Sequence, residues 1–287
     1  MGKLPEWLKT KTSKGLHQKT IRSIIDDQSI HTVCESAKCP NRGECFSKKT
    51  VTFMILGDVC TRNCAFCAVS KGIPKTPEED EPQHLINTIV KLGLKYIVIT
   101  SVTRDDLPDG GASHFAKIIS AIKSYDSTIK IEILTPDFQG NYTHLSIALD
   151  AQPDVFNHNI ETVPRLYPLV RPKADYNRSL RLLKYSKEMF PNIVTKSGLM
   201  VGLGETIEEI KETLKNLSTH LVDIVTIGQY LQPSSKNVIV HEYIHPDIFE
   251  DYKSIGKTLG LKVVSAPFVR SSYNALEVCN EVLNSDS

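Results

Sequence analysis

Six of the seven cysteines fall in two groups of three, Cys34-x4-Cys39-x5-Cys45 and Cys60-x3-Cys64-x2-Cys67. Structural zinc takes four ligands, often as two separated pairs, and neither triplet supplies that set. Three thiolates so close in sequence can instead wrap one face of a cubane 4Fe–4S cluster and leave the fourth iron open. An open iron can bind a small molecule and pass it an electron. The Cys60 triplet follows the first predicted strand, which puts it on a loop at the C-terminal edge of a sheet, where α/β architectures bind their ligands. The plainer readings are a zinc knuckle or buried free thiols, and the spacing and context together favour the cluster. The Cys34 triplet also lacks a fourth ligand. From the residues alone the candidate is the remaining cysteine, Cys279, set against the ordinary case of a buried thiol.

The elements that must position these groups are legible as alternation. Runs rich in Val, Ile, Phe and Thr predict strands over Val51–Gly57, Tyr96–Ser101, Lys130–Thr135, Val155–Ile160, Ile193–Val201 and Val222–Gln229, with a further short run at Lys262–Ala266. Helical spacing joins Leu85, Ile86, Ile89 and Val90, with Gly93 as C-cap. It also joins Phe115, Ile118, Ile119 and Ile122; Ile207, Ile210, Leu214 and Leu217; and Ile248, Tyr252, Ile255 and Leu259. Thr206 and Glu209 form a capping box. Strands alternating with helices predict a parallel sheet with right-handed crossovers. Six such units can close partly into a barrel, too few for a full TIM barrel, and an open doubly wound sheet fits the same pattern. The first 50 residues read as polar and irregular.

The chain has 287 residues, 40% hydrophobic and 23% charged, with 34 basic against 33 acidic side chains. That length and balance allow a sizeable core and give no general pull on nucleic acid. No apolar run is long enough to span a bilayer, and the N-terminal residues carry no secretory pattern. A reducing cytoplasm is expected, where clustered cysteines bind metal or do redox work.

Cys-x3-Cys-x2-Cys is similar to the signature of the radical SAM superfamily. There the open iron chelates S-adenosylmethionine (SAM), and one-electron reduction gives methionine and a 5′-deoxyadenosyl radical that takes hydrogen from unactivated carbon. The resemblance narrows along the rest of the chain. The segments Cys34–Cys45, Thr52–Cys67, Ile99–Gly111, Phe156–Glu161 and Lys196–Glu205, the start Pro5–Leu8 and the motif Arg270-Ser-Ser-Tyr273-Asn-Ala275 together resemble lipoyl synthase. With that resemblance the expected architecture is an α/β partial (β/α)6 TIM-type barrel at 51–266. A cluster-bearing extension at 1–50 and a C-terminal segment at 267–287 would cover its open face.

The family resemblance implies two 4Fe–4S clusters. One is held by Cys60, Cys64 and Cys67 and works with SAM. The auxiliary one, on Cys34, Cys39, Cys45 and a serine of Arg-Ser-Ser-Tyr, is the sulfur donor consumed in turnover. The serine is assigned to Ser272, whose alkoxide is a harder ligand than thiolate and suits iron less well; Cys279 is then a bystander. The implied reaction inserts sulfur at C6 and C8 of an octanoyl chain carried on a lysine of a lipoyl carrier domain (the E2 subunits of 2-oxoacid dehydrogenases, or the glycine cleavage H protein). A flavodoxin or ferredoxin is the implied reductant, and neither nucleic acid nor membrane is expected as a partner.

Other residues carry weaker signals. Phe66 occupies a position often near adenine in such motifs. Asn157, Asn159, Glu161 and Arg171 are candidates for the ribose or carboxylate of SAM, although a surface salt bridge explains Arg171 equally well. Arg270, close to Ser272, is assigned a role at the auxiliary cluster. Asp105, Asp106 and Asp109 read either as a solvated turn or as a wall of the site. His158 reads as a structural histidine, and Gly202 and Gly204 as close-approach glycines. Biotin synthase or tRNA methylthiotransferase chemistry is the nearest alternative function. An electron carrier with closed clusters and a zinc-stabilised interaction module are the others.

Overall fold

Strands that are buried on both faces need mostly apolar side chains, which the predicted strands supply except at buried polar positions such as Glu132, Thr195, Lys196 and Ser197. The computed structural model describes residues 4–9, 16–48 and 50–285; the expected extensions therefore include residues outside the described ones, at 1–3, 10–15, 49 and 286–287. The chain divides into two compact units. One is Thr12–Asn63 with Ala68–Phe156, the other Met1–Lys11, Cys64–Cys67 and Asn157–Ser287.

The first unit opens with helix α1 (Leu16–Asp27). Strand β1 (Thr52–Ile55), helix α2 (Glu81–Leu92), β2 (Tyr96–Ser101), α3 (Ala112–Tyr125), β3 (Lys130–Leu134) and α4 (Tyr142–Asp150) follow. The division falls within β4 (Val155–Asn157). β1, β2 and β3 pair in parallel, with Phe53 opposite Ile99 and Ile97 opposite Ile131. His31–Thr32 adds a short antiparallel edge to β1. Phe53, Ile97, Ile99, Ile131 and Ile133 are fully buried, as are Phe115, Ile118 and Ile119 of α3, which follows β2 in sequence. Each such side chain contributes about 1.5–3 kcal/mol relative to exposure. Gly93 caps α2 in the left-handed conformation, φ 65°, as expected.

The second unit continues the alternation with α5 (Tyr176–Met189), β5 (Val194–Val201), α6 (Ile207–Thr219), β6 (Ile224–Gln229), α7 (Pro246–Thr258), β7 (Lys262–Ser265) and α8 (Ala275–Ser285). β5, β6 and β7 are parallel, with Leu199 opposite Ile227 and Val225 opposite Val263. The capping box is complete. Thr206 accepts from the Glu209 amide, and the Glu209 carboxylate accepts from the Thr206 amide at 2.8 Å.

Two sequence expectations need correction. Among the first 50 residues the described part is not all irregular: Ile21 and Ile25 give α1 a buried stripe, and Arg42–Ser47 forms a further helix. The buried face of α7 is Phe249, Tyr252 and Gly256, rotated from the expected row that begins at Ile248. Gly256 explains the rotation. A Cβ there would collide with Val263, so the helix lies against β7 at a distance only glycine allows.

Candidate active site

Cys34 lies in the one-turn helix Val33–Ser36, which Thr32 caps. The chain then turns back, with the Cys39 amide donating to the Cys34 carbonyl at 3.1 Å. Cys45 sits in Arg42–Ser47. The three thiols sense one another. Burial pushes the Cys34 thiol up to about 11, and Cys39 adds to the shift. Burial, then Cys34 and Cys39, push Cys45 up to about 12. Cysteines brought this close together, one buried and two half-buried, fit a thiolate-ligated cluster, since a soft metal favours thiolate ligands.

The second triplet follows β1. Leu56 and Gly57 turn the chain with φ of 66° and 89°. Val59–Cys60 then pairs with Ser70–Lys71 in a small parallel ribbon. Thr61 and Arg62 are tied within the first unit. The Thr61 amide donates to Thr103 at 3.0 Å, and Arg62 is ion-paired to Asp105 and Asp137. Cys64 and Cys67 belong to the second unit. There the Ala65 amide donates to Val170 at 2.9 Å, and the Asn237 side chain donates to the carbonyls of Ala65 and Cys67 at 3.1 and 3.0 Å. All three cysteines keep part of their surface open, and Phe66 is half-buried. That partial exposure leaves the three sulfurs room to ligate a metal.

Several predicted cofactor residues come together in the second unit. Asn159 donates to Glu161 at 3.0 Å and to Ser271 at 2.7 Å. Arg171 donates to the Asn159 carbonyl at 2.8 Å and to the Tyr167 hydroxyl at 3.2 Å. Burial raises the Glu161 carboxyl, against the pull of Arg171, Asn159 and Arg270. Burial also works against the Arg171 charge, but Tyr167, Glu161 and Cys64 outweigh it and raise its pKa. Glu161 holds φ 66°, an unusual conformation for a glutamate. β5 enforces it, because Glu161 and Leu199 form a backbone bridge. Oδ1 of Asn159 and Nε of Arg171 are buried with no hydrogen-bond partner among the described residues. Such atoms are costly unless something else pairs with them, which fits a polar ligand such as the amino acid part of SAM.

The remaining candidates divide. Asn157 is fully buried in β4. His158 is a structural residue, its ring within 3.0 Å of the Ser179 hydroxyl. Gly202 is a close-approach glycine: a Cβ there would collide with Gln229 and the Glu242 carbonyl. Arg270 donates to the Val269 carbonyl at 2.6 Å. Cys279 is buried in α8. The acidic segment is a turn whose carboxylates are each engaged, and Asp105 with Leu107 and Pro108 also lines a cavity. Asp105 pairs with Arg62, Asp106 with Arg104, and Asp109 accepts from the amides of Gly111 and Ser113. Sequence reasoning passed over Arg62, Tyr167, Asn237 and Ser271. Arg62, between two cysteines of the second triplet, and Ser271, inside Arg270-Ser-Ser-Tyr273, carried a signal of position; Tyr167 and Asn237 carried none.

Residues 54–217 match the radical SAM superfamily. The chain is 55% identical over 276 residues to a lipoyl synthase of Caldicellulosiruptor saccharolyticus, covering 96% of this chain and 97% of that one. It is 52% identical over 278 residues to the lipoyl synthase of Chromobacterium violaceum, covering 95% and 87%. Among solved structures it is similar to SuiB of Streptococcus suis bound to S-adenosylmethionine, with TM-score 0.59, 12% identity and coverage of 78% and 54%. It is also similar to methylornithine synthase (PylB), with TM-score 0.53, 13% identity and coverage of 94% and 93%. The structural likenesses show the fold, an α/β architecture with parallel strands consistent with the expected partial (β/α)6 barrel. With near full-length identity above one half to named relatives, the chain belongs to the lipoyl synthase family of radical SAM enzymes.

Proposed function

We propose that this protein inserts two sulfur atoms, at C6 and C8, into the octanoyl chain of a protein-bound octanoyl-lysine, giving lipoyl-lysine. The observation that carries the reading is a second group of cysteines, apart in sequence from the radical motif, in which the Cys39 amide donates to the Cys34 carbonyl at 3.1 Å and Cys34 and Cys39 both act on Cys45. Cys34, Cys39, Cys45 and Ser272 hold an auxiliary 4Fe–4S cluster, and Cys60, Cys64 and Cys67 hold the second. When bound, the clusters and SAM supply the electron, the hydrogen-abstracting radical and the sulfur.

The chain's own groups bind and orient. Asn157, Asn159, Glu161 and Arg171 take the polar groups of SAM, and Phe66 packs near its adenine. The engagement of Ser271 by Asn159 supports Ser272 as the cluster ligand, since the first serine of the motif already has a partner. Arg270, electrostatically linked to Glu161, acts beside that ligand. The segments 1–50 and 267–287 serve as ligand-bearing extensions of the 51–266 body. Water and stray hydrogen donors must be kept from the reacting chain, which is the protein's task in cofactor chemistry of this kind.

Octanoylated lipoyl carrier domains, of 2-oxoacid dehydrogenase E2 subunits and the glycine cleavage H protein, are the protein substrates, with flavodoxin or ferredoxin as reductant. Thiolate-held clusters fit a reducing cytoplasm. Among the described residues no helix is long and apolar enough to cross a membrane. The test is an anaerobic assay of the reconstituted protein with octanoyl-lysyl peptide, SAM and dithionite. Lipoyl-lysine or the monothiolated peptide, with 5′-deoxyadenosine, is expected by mass spectrometry. 5′-Deoxyadenosine without sulfur insertion would contradict the substrate assignment.

A further inference from the structure

We propose that Arg62 is the positioning residue of the radical-cluster loop. Its guanidinium, clamped by Asp105 and Asp137, fixes the peptide whose N–H donates to the Cys60 sulfur, and so helps set the reduction potential of the cluster that Cys60 ligates. This rests on the reading that Cys60, Cys64 and Cys67 hold that cluster.

A loop arginine between two half-open cysteines is ordinarily solvated. The Arg62 side chain is instead only 5% exposed. Its Nε and Nη2 donate to the two oxygens of Asp105 at 2.7 and 2.9 Å, the fork geometry specific to arginine. Nη2 also donates to Asp137 at 2.6 Å, and the Asp137 side chain is fully buried. Burial disfavours the Arg62 charge, but the two carboxylates outweigh it and raise its pKa.

The clamp joins three segments of the first unit. Asp105 follows β2 and Asp137 follows β3. The neighbouring residue reinforces the same junction: the Thr61 hydroxyl donates to the Thr103 carbonyl at 2.9 Å and accepts from the Asp105 amide at 3.1 Å. The backbone at 61–62 is thus held from both sides, and the Arg62 amide lies 3.4 Å from Cys60 Sγ. An N–H donated to a cluster thiolate draws charge from the sulfur and favours the reduced state, so hydrogen bonds to sulfur tune the potential of such clusters. Lysine cannot reproduce the arrangement, because a point charge on a flexible stem cannot span two carboxylates as a planar fork does.

The experiment uses the full chain, anaerobically reconstituted, as Arg62→Lys and Asp137→Asn. The Asp137 variant keeps Arg62 and its Asp105 contact, so it reports even where the lysine protein does not fold. In each, the potential of the SAM-responsive cluster is titrated by EPR, beside the melting temperature and 5′-deoxyadenosine formation. The expected result is a more negative potential in both, larger in Arg62→Lys, with 5′-deoxyadenosine formation down about tenfold or more. An unchanged potential in folded Asp137→Asn, whatever its melting temperature, overturns the proposal and makes Arg62 a structural ion pair. A SAM-responsive cluster in wild-type protein that disappears in Cys60→Ala upholds the underlying ligand reading separately. If that wild-type signal survives Cys60→Ala, the ligand reading itself fails.

Discussion

Asp105, Asp106 and Asp109 lie within one short loop, and each meets a different partner. Their sequence says only that the loop is acidic; their separate tasks depend on Arg62, Arg104 and the amides that open α3. Removing Asp109 should leave 5′-deoxyadenosine formation intact while lowering stability by about 1 kcal/mol, read from denaturant unfolding. The adjacent serines should separate in the same way. Ser271→Ala removes the Asn159 hydrogen bond and should weaken SAM binding about fivefold, measured by equilibrium titration. Ser272→Ala should instead preserve SAM cleavage and abolish sulfur insertion, measured as 5′-deoxyadenosine against thiolated peptide. Arg270→Ala should impair sulfur insertion while leaving the radical cluster's EPR signal in place; normal product yield would remove Arg270 from the site.

At the scale of elements, the helices were most legible where capping and periodicity agreed. Thr206 and Glu209 announced the start of α6, and the structure completes the box and adds Arg165 at 2.8 Å from Glu209. Arg165 and the Thr206 amide hold the Glu209 carboxyl down to about 2. A depressed carboxylate stabilises the fold above its ordinary value and loses that contribution as pH falls toward about 2. Thr206→Ala should cost about 1 kcal/mol at neutral pH. Glu209→Gln should differ from wild type at neutral pH and converge on it as pH falls toward about 2. Unfolding curves across that range check the sign.

Strand ends were less legible, for a physical reason. The expected strands Val51–Gly57 and Val155–Ile160 stop early, at Ile55 and Asn157. Leu56 takes positive φ immediately after Ile55, and past Asn157 the regular ladder gives way to an isolated bridge at Glu161, itself at positive φ, so the strands end where the candidate site begins. An apolar run records burial, and burial continues past the last strand bond. α1 was missed because its apolar residues are few and sit among polar ones, and α7 was misphased because Gly256 belongs to its buried face.

At the scale of the whole molecule, the cysteine spacing and the scattered motifs made the family legible, and the comparisons over nearly the full chain agree. The bonds that shape the site were not legible. Arg62 reaches across 43 and 75 positions to its carboxylates, and Asn159 across 112 to Ser271. No local pattern encodes a contact at that separation. The central claim is that the sulfur in the product comes from the cluster held by Cys34, Cys39 and Cys45. It is tested most directly by reconstituting the protein with 34S-sulfide, removing free sulfide, and running a single turnover with octanoyl-lysyl peptide, SAM and dithionite. The account predicts lipoyl-lysine carrying heavy sulfur at both positions, and none from the Cys34→Ala protein. Product containing only natural-abundance sulfur would contradict it.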